Sequence, residues 1–133
     1  MRLSALVENI ADDVVLYDDP NVNSITIDIE QVTEGSLFIA RQNWYGNTHR
    51  HIARAFAKGA VAVLVSELSN DMPGRPYAYV RNEDPALGLV SRRFFGCPSD
   101  QLTVYGVTGT NGKTSVTCMV EHLLECVGER PAV

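Results

Sequence analysis

The sequence predicts an α/β chain: a small sheet with flanking helices over residues 1–100, then the opening strand, loop and helix of a second unit over residues 101–133. Three observations carry this expectation. Residues 60–65, AVAVLV, form a continuous apolar run of the kind that suits a strand covered on both faces. Ile25, Ile27 and Ile29 alternate with Thr26 and Asp28, the period of a strand with one buried side. Near the end, a glycine-rich stretch joins an apolar run to a segment of helical spacing. With 133 residues, 45% hydrophobic and 20% charged, the chain can bury a core. A complete nucleotide-dependent enzyme on an open parallel sheet needs about 150 residues or more, and does not fit.

The elements follow in order. Leu3, Leu6, Val7 and Ile10 recur at helical spacing, which predicts a short amphipathic helix over residues 3–11. A strand is predicted over residues 22–29, and a second over 36–40 after the Glu34-Gly35 turn signal. Residues 43–47 read as a polar and aromatic loop. Thr48 is the predicted N-cap of a helix through Lys58, and Gly59 its C-cap. The strand at 60–65 and a short one at 76–80 flank a surface connection containing Pro73 and Gly74. Asp84 before Pro85 signals a helix start with proline at the first helical position, and Gly96 and Pro98 mark its stop. Residues 102–107 are a predicted last strand and 113–127 a last helix.

Composition narrows the function. Eleven Lys and Arg against sixteen Asp and Glu give 11 − 16 = −5, with no basic stripe, which excludes nucleic acid as the expected partner. No segment approaches the roughly 18 apolar residues of a membrane span, and Glu8, Asp12 and Asp13 break what would be a secretory core. A soluble, cytoplasmic protein is expected. Cys97, Cys118 and Cys126 form an odd set without CxxC spacing and read as buried thiols. His49 and His51, two apart, would fall on different faces of a helix and make no metal pair.

The chemistry concentrates in Gly106-Val107-Thr108-Gly109-Thr110-Asn111-Gly112-Lys113-Thr114. Glycines let backbone N–H groups turn inward around an anion, and the following helix adds positive partial charge. Lys113 would neutralise the β- and γ-phosphates, and the Thr114 hydroxyl would ligate Mg²⁺. Val107 stands where the strict P-loop pattern has its first glycine. The alternative is a glycine-rich turn with an incidental surface lysine.

The string GVTGTNGKT resembles the ATP signature of the Mur ligases and their folylpolyglutamate synthetase relatives. TEGSLFIA, the GAVAVLV strand and DPALGLVSRRFFGCPSDQLTVYGVTGTNGKT extend the resemblance toward the tripeptide-forming MurE family. It implies an ATP- and Mg²⁺-dependent ligase joining L-lysine or meso-diaminopimelate to UDP-MurNAc-L-Ala-D-Glu in peptidoglycan synthesis, monomeric in solution. Residues 1–100 would hold the UDP end of the substrate, and residues 101–133 would open the ATP-binding domain, with no catalytic residue in this stretch. Position by position, Thr108, Gly109, Thr110, Asn111, Gly112, Lys113 and Thr114 match the ATP loop. The UDP site would use the backbone at Ile27 and Ile29 and the loop residues Trp44, Tyr45 and Gly46, with the two aromatics either a shelf for uracil or a cover for the core. The family's Asp-Ser-Arg is Asp28, Ile29 and Glu30 here. Its next-loop elements align with Asn43, Asn47-Thr48 and His49, of which only the histidine is kept. His49 reads either as that retained element or as an ordinary polar residue in a first helical turn.

Two other readings stay open: a divergent nucleotide-sugar-binding or regulatory module without ligase activity, and a truncated P-loop kinase or GTPase. The lone strand and helix of the tail lack partners, so residues 108–133 are expected to be mobile, to pack on the front unit, or to pair with another copy.

Overall fold

The strands Ser36–Ile39 and Ala62–Val65 are buried at every position. In the computed structural model, which describes residues 1–43, 46–68, 72 and 74–132, they are the neighbouring inner strands of a five-stranded sheet. Alternation makes that sheet the middle of three layers. Leu37, Ile39, Ala62 and Leu64 face one way, into a cluster with Leu3, Leu6, Val7, Ala86 and Val90. Phe38, Ala40, Val63 and Val65 face the other way, against Ile52, Ala55, Phe56 and Met72. Burying one such aliphatic or aromatic side chain contributes roughly 1.5–3 kcal/mol, so this central pair of strands dominates the stability of its unit.

The chain divides into two compact units, Met1–Pro98 and Ser99–Val133. In the first, α1 (Leu3–Val7) leads to β1 (Asp13–Val15), β2 (Ser24–Thr26), β3 (Ser36–Ile39), the antiparallel pair of β4 (Gln42–Asn43) and β5 (Gly46–Asn47), α2 (Ile52–Ala57), β6 (Ala62–Val65), β7 (Tyr77–Tyr79) and α3 (Glu83–Phe94). The sheet order is β1-β7-β6-β3-β2, parallel throughout except for β1, which runs antiparallel on the edge beside β7. α1 and α3 cover one face and α2 the other.

Several boundaries differ from the sequence expectation, each for a local reason. The first helix is one short turn, Leu3–Val7, rather than residues 3–11. The strand expected over 22–29 ends at Thr26. Thr26 Oγ1 accepts from Asp28 N at 3.0 Å, and Asp28 Oδ1 accepts from Glu30 N at 2.9 Å to cap a 3-10 turn at Ile29–Gln31. A side chain that bonds the neighbouring backbone competes with the ladder, and here it wins. Asn47 rather than Thr48 caps the next segment, because its amide oxygen accepts from His49 N. Thr48 instead ties the two ends of the β4–β5 pair, accepting from Arg41 N at 2.7 Å. Asn82 caps α3, so Pro85 sits at the third helical position, where a missing N–H still costs no helical bond. β1, three residues flanked by acids, gave no readable signal. Of the cysteines expected to be buried, Cys118 and Cys126 are exposed and Cys97 is half-buried. Pro73, expected in the surface connection before β7, lies outside the described residues.

In the second unit, a 3-10 turn at Pro98–Gln101 precedes α4 (Lys113–Cys126). Residues 102–107, expected as a strand, are not one. A parallel strand exists only through its ladder, and no described residue pairs with this segment. α4 ends in a Schellman turn: Gly128 N donates to Glu125 O and Glu129 N to Leu124 O, with Gly128 at φ +87°. Its Val116, Met119, Leu123 and Val127 are exposed. Among the described residues no helix is long and apolar enough to cross a membrane.

Two surface carboxylates give the first unit an acid limb. Asp19 holds the start of α1 from a distance: its oxygens accept from Ser4 N and Ser4 Oγ, each at 2.8 Å. The Ser4 amide above all, then its hydroxyl and the Arg2 charge, hold the Asp19 carboxyl below its ordinary range. Glu30 is lowered first by its hydrogen bond from Lys58, then by the Arg54 charge. A depressed folded-state value stabilises at pH above the unfolded value and is lost as pH falls through it. Stability is therefore expected to be level down to about pH 5 and to fall below about pH 4.5. The Asp19→Asn/Glu30→Gln double variant should show a shallower fall in urea titrations between pH 6 and 3, because Asn tolerates the positive φ at position 19. An unchanged slope would reject the assignment.

Candidate functional site

Because β2, β3, β6 and β7 are parallel, the segments leaving them emerge at one edge of the sheet. In an open α/β sheet this carboxyl edge is where ligands bind. At β2, Ile27 is exposed and Ile29 half-buried. The Ile29 carbonyl accepts from Lys58 Nζ at 3.0 Å, so one of its two lone pairs is committed. Glu30 pairs with Arg54 at 2.7 Å and Lys58 at 3.0 Å, and Asp28 is spent on its own turn. After β3 the β4–β5 pair sets Asn43 opposite Gly46 and Gln42 opposite Asn47. Gly46 takes φ +141°, and a Cβ added there would meet nothing within 4 Å. Trp44 and Tyr45, expected at the uracil, lie outside the described residues.

The same edge holds a polar cluster that sequence reasoning did not assemble. His49 is 6% exposed, not an ordinary surface residue of a first turn. Its Nε2 accepts from Ser66 N at 3.2 Å, which leaves Nδ1 as the protonated nitrogen, donating to Asn47 Oδ1 at 2.8 Å. Glu83, 12% exposed on its side chain, stands 3.9 Å from Nε2 and accepts from Ser66 Oγ. Asn47 Nδ2 reaches Glu67 at 3.3 Å, and Arg41 pairs with Asp84. The exits of β3 and β6 and the start of α3 are thus bolted together through one imidazole. The Arg41 Nε is buried without a hydrogen-bond partner among the described residues. Such an orphaned donor beside a sheet's carboxyl edge suits an incoming anionic or carbonyl group.

In the second unit the glycine-rich loop leads directly into α4. Gly112 is its N-cap with φ +77°, in the left-handed region. No side chain caps the first amides, and no acidic residue lies in the first turn. An added Cβ at Gly112 would meet nothing within 4 Å. Lys113 Nζ bends back onto the Gly109 carbonyl at 2.6 Å, and Thr117 Oγ1 donates to the Lys113 and Thr114 carbonyls. An open helix N-terminus with a lysine folded over it has the donors and the space that a phosphate requires. Thr114, the residue expected at Mg²⁺, follows that lysine and is exposed. Among the described residues, no three His, Cys, Asp or Glu side chains group to hold a metal, so Mg²⁺ would need further donors from the nucleotide, water or other residues.

Sequence comparison finds similar proteins. Over 111 residues the chain is 41% identical to the UDP-N-acetylmuramoyl-L-alanyl-D-glutamate--2,6-diaminopimelate ligase of Chlorobium phaeobacteroides, covering 82% of this chain and 22% of that protein. The ligase of the same name from Pseudomonas putida is 41% identical over 115 residues, 84% of this chain and 23% of its own. That of Bacillus velezensis is 35% identical over 133 residues, 98% of this chain and 26% of its own. Over most of its own length the chain is similar to these ligases. It spans about a quarter of the length of the curated relatives it matches. No family model matches it. Its fold is similar to part of MurF from Acinetobacter baumannii, with a TM-score of 0.59 at 24% identity over 80% of this chain and 22% of that one. MurF from Thermotoga maritima, solved with ADP, gives 0.58 at 24% identity over 77% of this chain and 23% of its own.

Proposed function

We propose that this chain is a Mur ligase segment, the N-terminal part of an ATP-dependent acid–amino-acid ligase that extends UDP-MurNAc-L-Ala-D-Glu by a diamino acid in cytoplasmic peptidoglycan synthesis. The names of the relatives favour meso-diaminopimelate over L-lysine. In this reaction the γ-phosphoryl group passes to the D-Glu carboxylate, giving an acyl phosphate and ADP. The amine then attacks the acyl carbon and inorganic phosphate leaves. Residues 1–100 bind the UDP end at the carboxyl edge, through the backbone at Ile27 and Ile29 and through Trp44, Tyr45 and Gly46. Residues 101–133 supply the ATP loop, Thr108 to Thr114, with Thr114 toward Mg²⁺. The observation that carries this is the uncapped start of α4 at Gly112 with Lys113 over it.

A second reading, a nucleotide-sugar-binding or regulatory module without ligase activity, is favoured by one observation. Where the family has Ser and Arg, this chain has Ile29 and a Glu30 locked by Arg54 and Lys58, so a hydroxyl and a positive charge are both gone from the nucleotide's side of the sheet.

Calorimetry on this chain separates the two. The ligase reading expects UDP-MurNAc-L-Ala-D-Glu to bind and ATP to bind weakly, with a Kd on the order of 1 mM. Lys113→Met should abolish the ATP signal while leaving the UDP ligand's affinity within about twofold, since a removed charge–phosphate contact is worth roughly tenfold or more. No ligation is expected from these residues alone, because the amino-acid pocket and further phosphoryl-stabilising groups are not among them. Failure of any UDP-bearing ligand to bind would remove the ligase reading. ATP affinity unaffected by Lys113→Met would remove the loop assignment.

A further inference from the structure

The last two turns of α4 carry an arrangement that neither the ligase chemistry nor the packing uses. His122 Nε2 and Cys126 Sγ stand 3.7 Å apart. His122 Nδ1 faces Glu125 Oε2 at 3.9 Å. All three are on the helix surface, the His122 side chain 77% exposed. At 100° per residue their face lies well around the helix from Val116, Val120, Leu123 and Val127, so burial of the apolar stripe would leave it open.

We propose that His122 and Cys126 form an open, two-ligand site for a thiophilic divalent cation such as Zn²⁺. The separation is the first argument. A tetrahedral zinc with Zn–S about 2.3 Å and Zn–N about 2.05 Å has an S···N edge of about 3.6 Å, so an ion can enter with the side chains almost where they are. The second is orientation. A metal-bound imidazole directs its other nitrogen at a carboxylate, which fixes the tautomer and raises its basicity; a contraction of about 1 Å by Glu125 completes that arrangement. The third is the position on the helix. The C-terminal end of α4 carries negative partial charge, which favours a bound cation there. Coordination of Cys126 releases its proton, and the remaining positions are filled by water, since among the described residues no third His, Cys, Asp or Glu completes the group.

The test is a titration of the chain with Cd²⁺ under reducing conditions, read by the cadmium–thiolate charge-transfer absorbance, with Zn²⁺ as competitor. One ion per chain is expected. His122→Gln and Cys126→Ser should each weaken binding at least about tenfold, Glu125→Gln by about tenfold, and Cys97→Ser should leave it unchanged. Circular dichroism should report the same helix content throughout, since all the altered side chains but Cys97 are exposed. Wild-type affinity in His122→Gln would overturn the proposal. So would a stoichiometry of one ion per two chains, or rapid alkylation of Cys126 at neutral pH with no metal titrating.

Discussion

Replacing Gly59 by valine is expected to unfold the first unit at temperatures where the native chain is intact. Gly59 closes α2 in a Schellman turn: its N–H donates to Phe56 O at 3.1 Å, and Ala60 N donates to Ala55 O at 3.0 Å. Its φ is +106°, a region that L side chains avoid at a cost of roughly 1–2 kcal/mol and β-branched ones avoid most strongly. Space is short as well. A Cβ at position 59 would lie 2.9 Å from Glu34 Cα and 3.1 Å from Glu34 N. Backbone cannot swing aside as a side-chain tip can, and the Gly35 N–H that donates to Gly59 O at 3.0 Å binds the two segments together. Relieving the collision should add roughly 1–3 kcal/mol, so even Gly59→Ala is expected to cost about 2–5 kcal/mol, with valine at the upper end or beyond. At about 4–8 °C per kcal/mol for a unit of this size, the alanine variant should melt at least about 8 °C lower. Gly96→Ala is the internal control, since Gly96 has φ +76° but nothing within 4 Å of an added Cβ. It should cost only about 1 kcal/mol. Equal losses at the two positions would show that backbone conformation alone, and not the approach of Glu34, sets the requirement for glycine.

His49→Leu should cost nearly as much and should also disturb the edge proposed to bind the UDP ligand. Leucine fills a similar volume, so the loss isolates the hydrogen bonds. The Ser66 N–H loses its acceptor, the Asn47 carbonyl oxygen loses the Nδ1 donor, and Glu83 is left against an apolar group. An unsatisfied buried polar group costs about 1–3 kcal/mol, which puts the expected loss at about 2–4 kcal/mol. Glutamine can return an acceptor to Ser66 N–H but not the donation to Asn47, so His49→Gln should recover about half. The loops after β3 and β6 are joined through this ring, and UDP-ligand affinity should fall in the same order, leucine below glutamine below wild type. The stabilities can be read from urea melts and the affinities by calorimetry. If leucine proves as stable as histidine, the ring is filler and the cluster does not organise the edge.

The outcome at Glu30 illustrates where a residue's position says less than its neighbours. Beside Asp28 the sequence offers only an acid on a strand face. The structure ends the strand at Thr26 and brings Arg54 and Lys58 from the far side of a crossover to that carboxylate. His49 is similar. Three residues from different parts of the chain, Asn47, Ser66 and Glu83, surround it, and only the crossover that makes β6 the neighbour of β3 puts Ser66 there. An Asn two residues before the histidine is the one local trace, because an Asn that caps a turn can also receive the ring.

Local chemistry by itself determined the inner strands and the three longer helices. An unbroken apolar run such as AVAVLV has no stable place except between two covered faces, and glycine at 59 and 112 marks backbone that other residues would strain. The likeness to Mur ligases was legible as well, since the residues from Thr108 to Thr114 lie together in one short stretch. The tertiary structure decided what depends on distant partners: the antiparallel edge strand β1, the burial of His49, the loss of a strand at 102–107, and the meeting of four strand exits at one edge. Those are set by free energies of pairing between segments far apart in the chain, and no window of neighbouring residues contains both members of the pair.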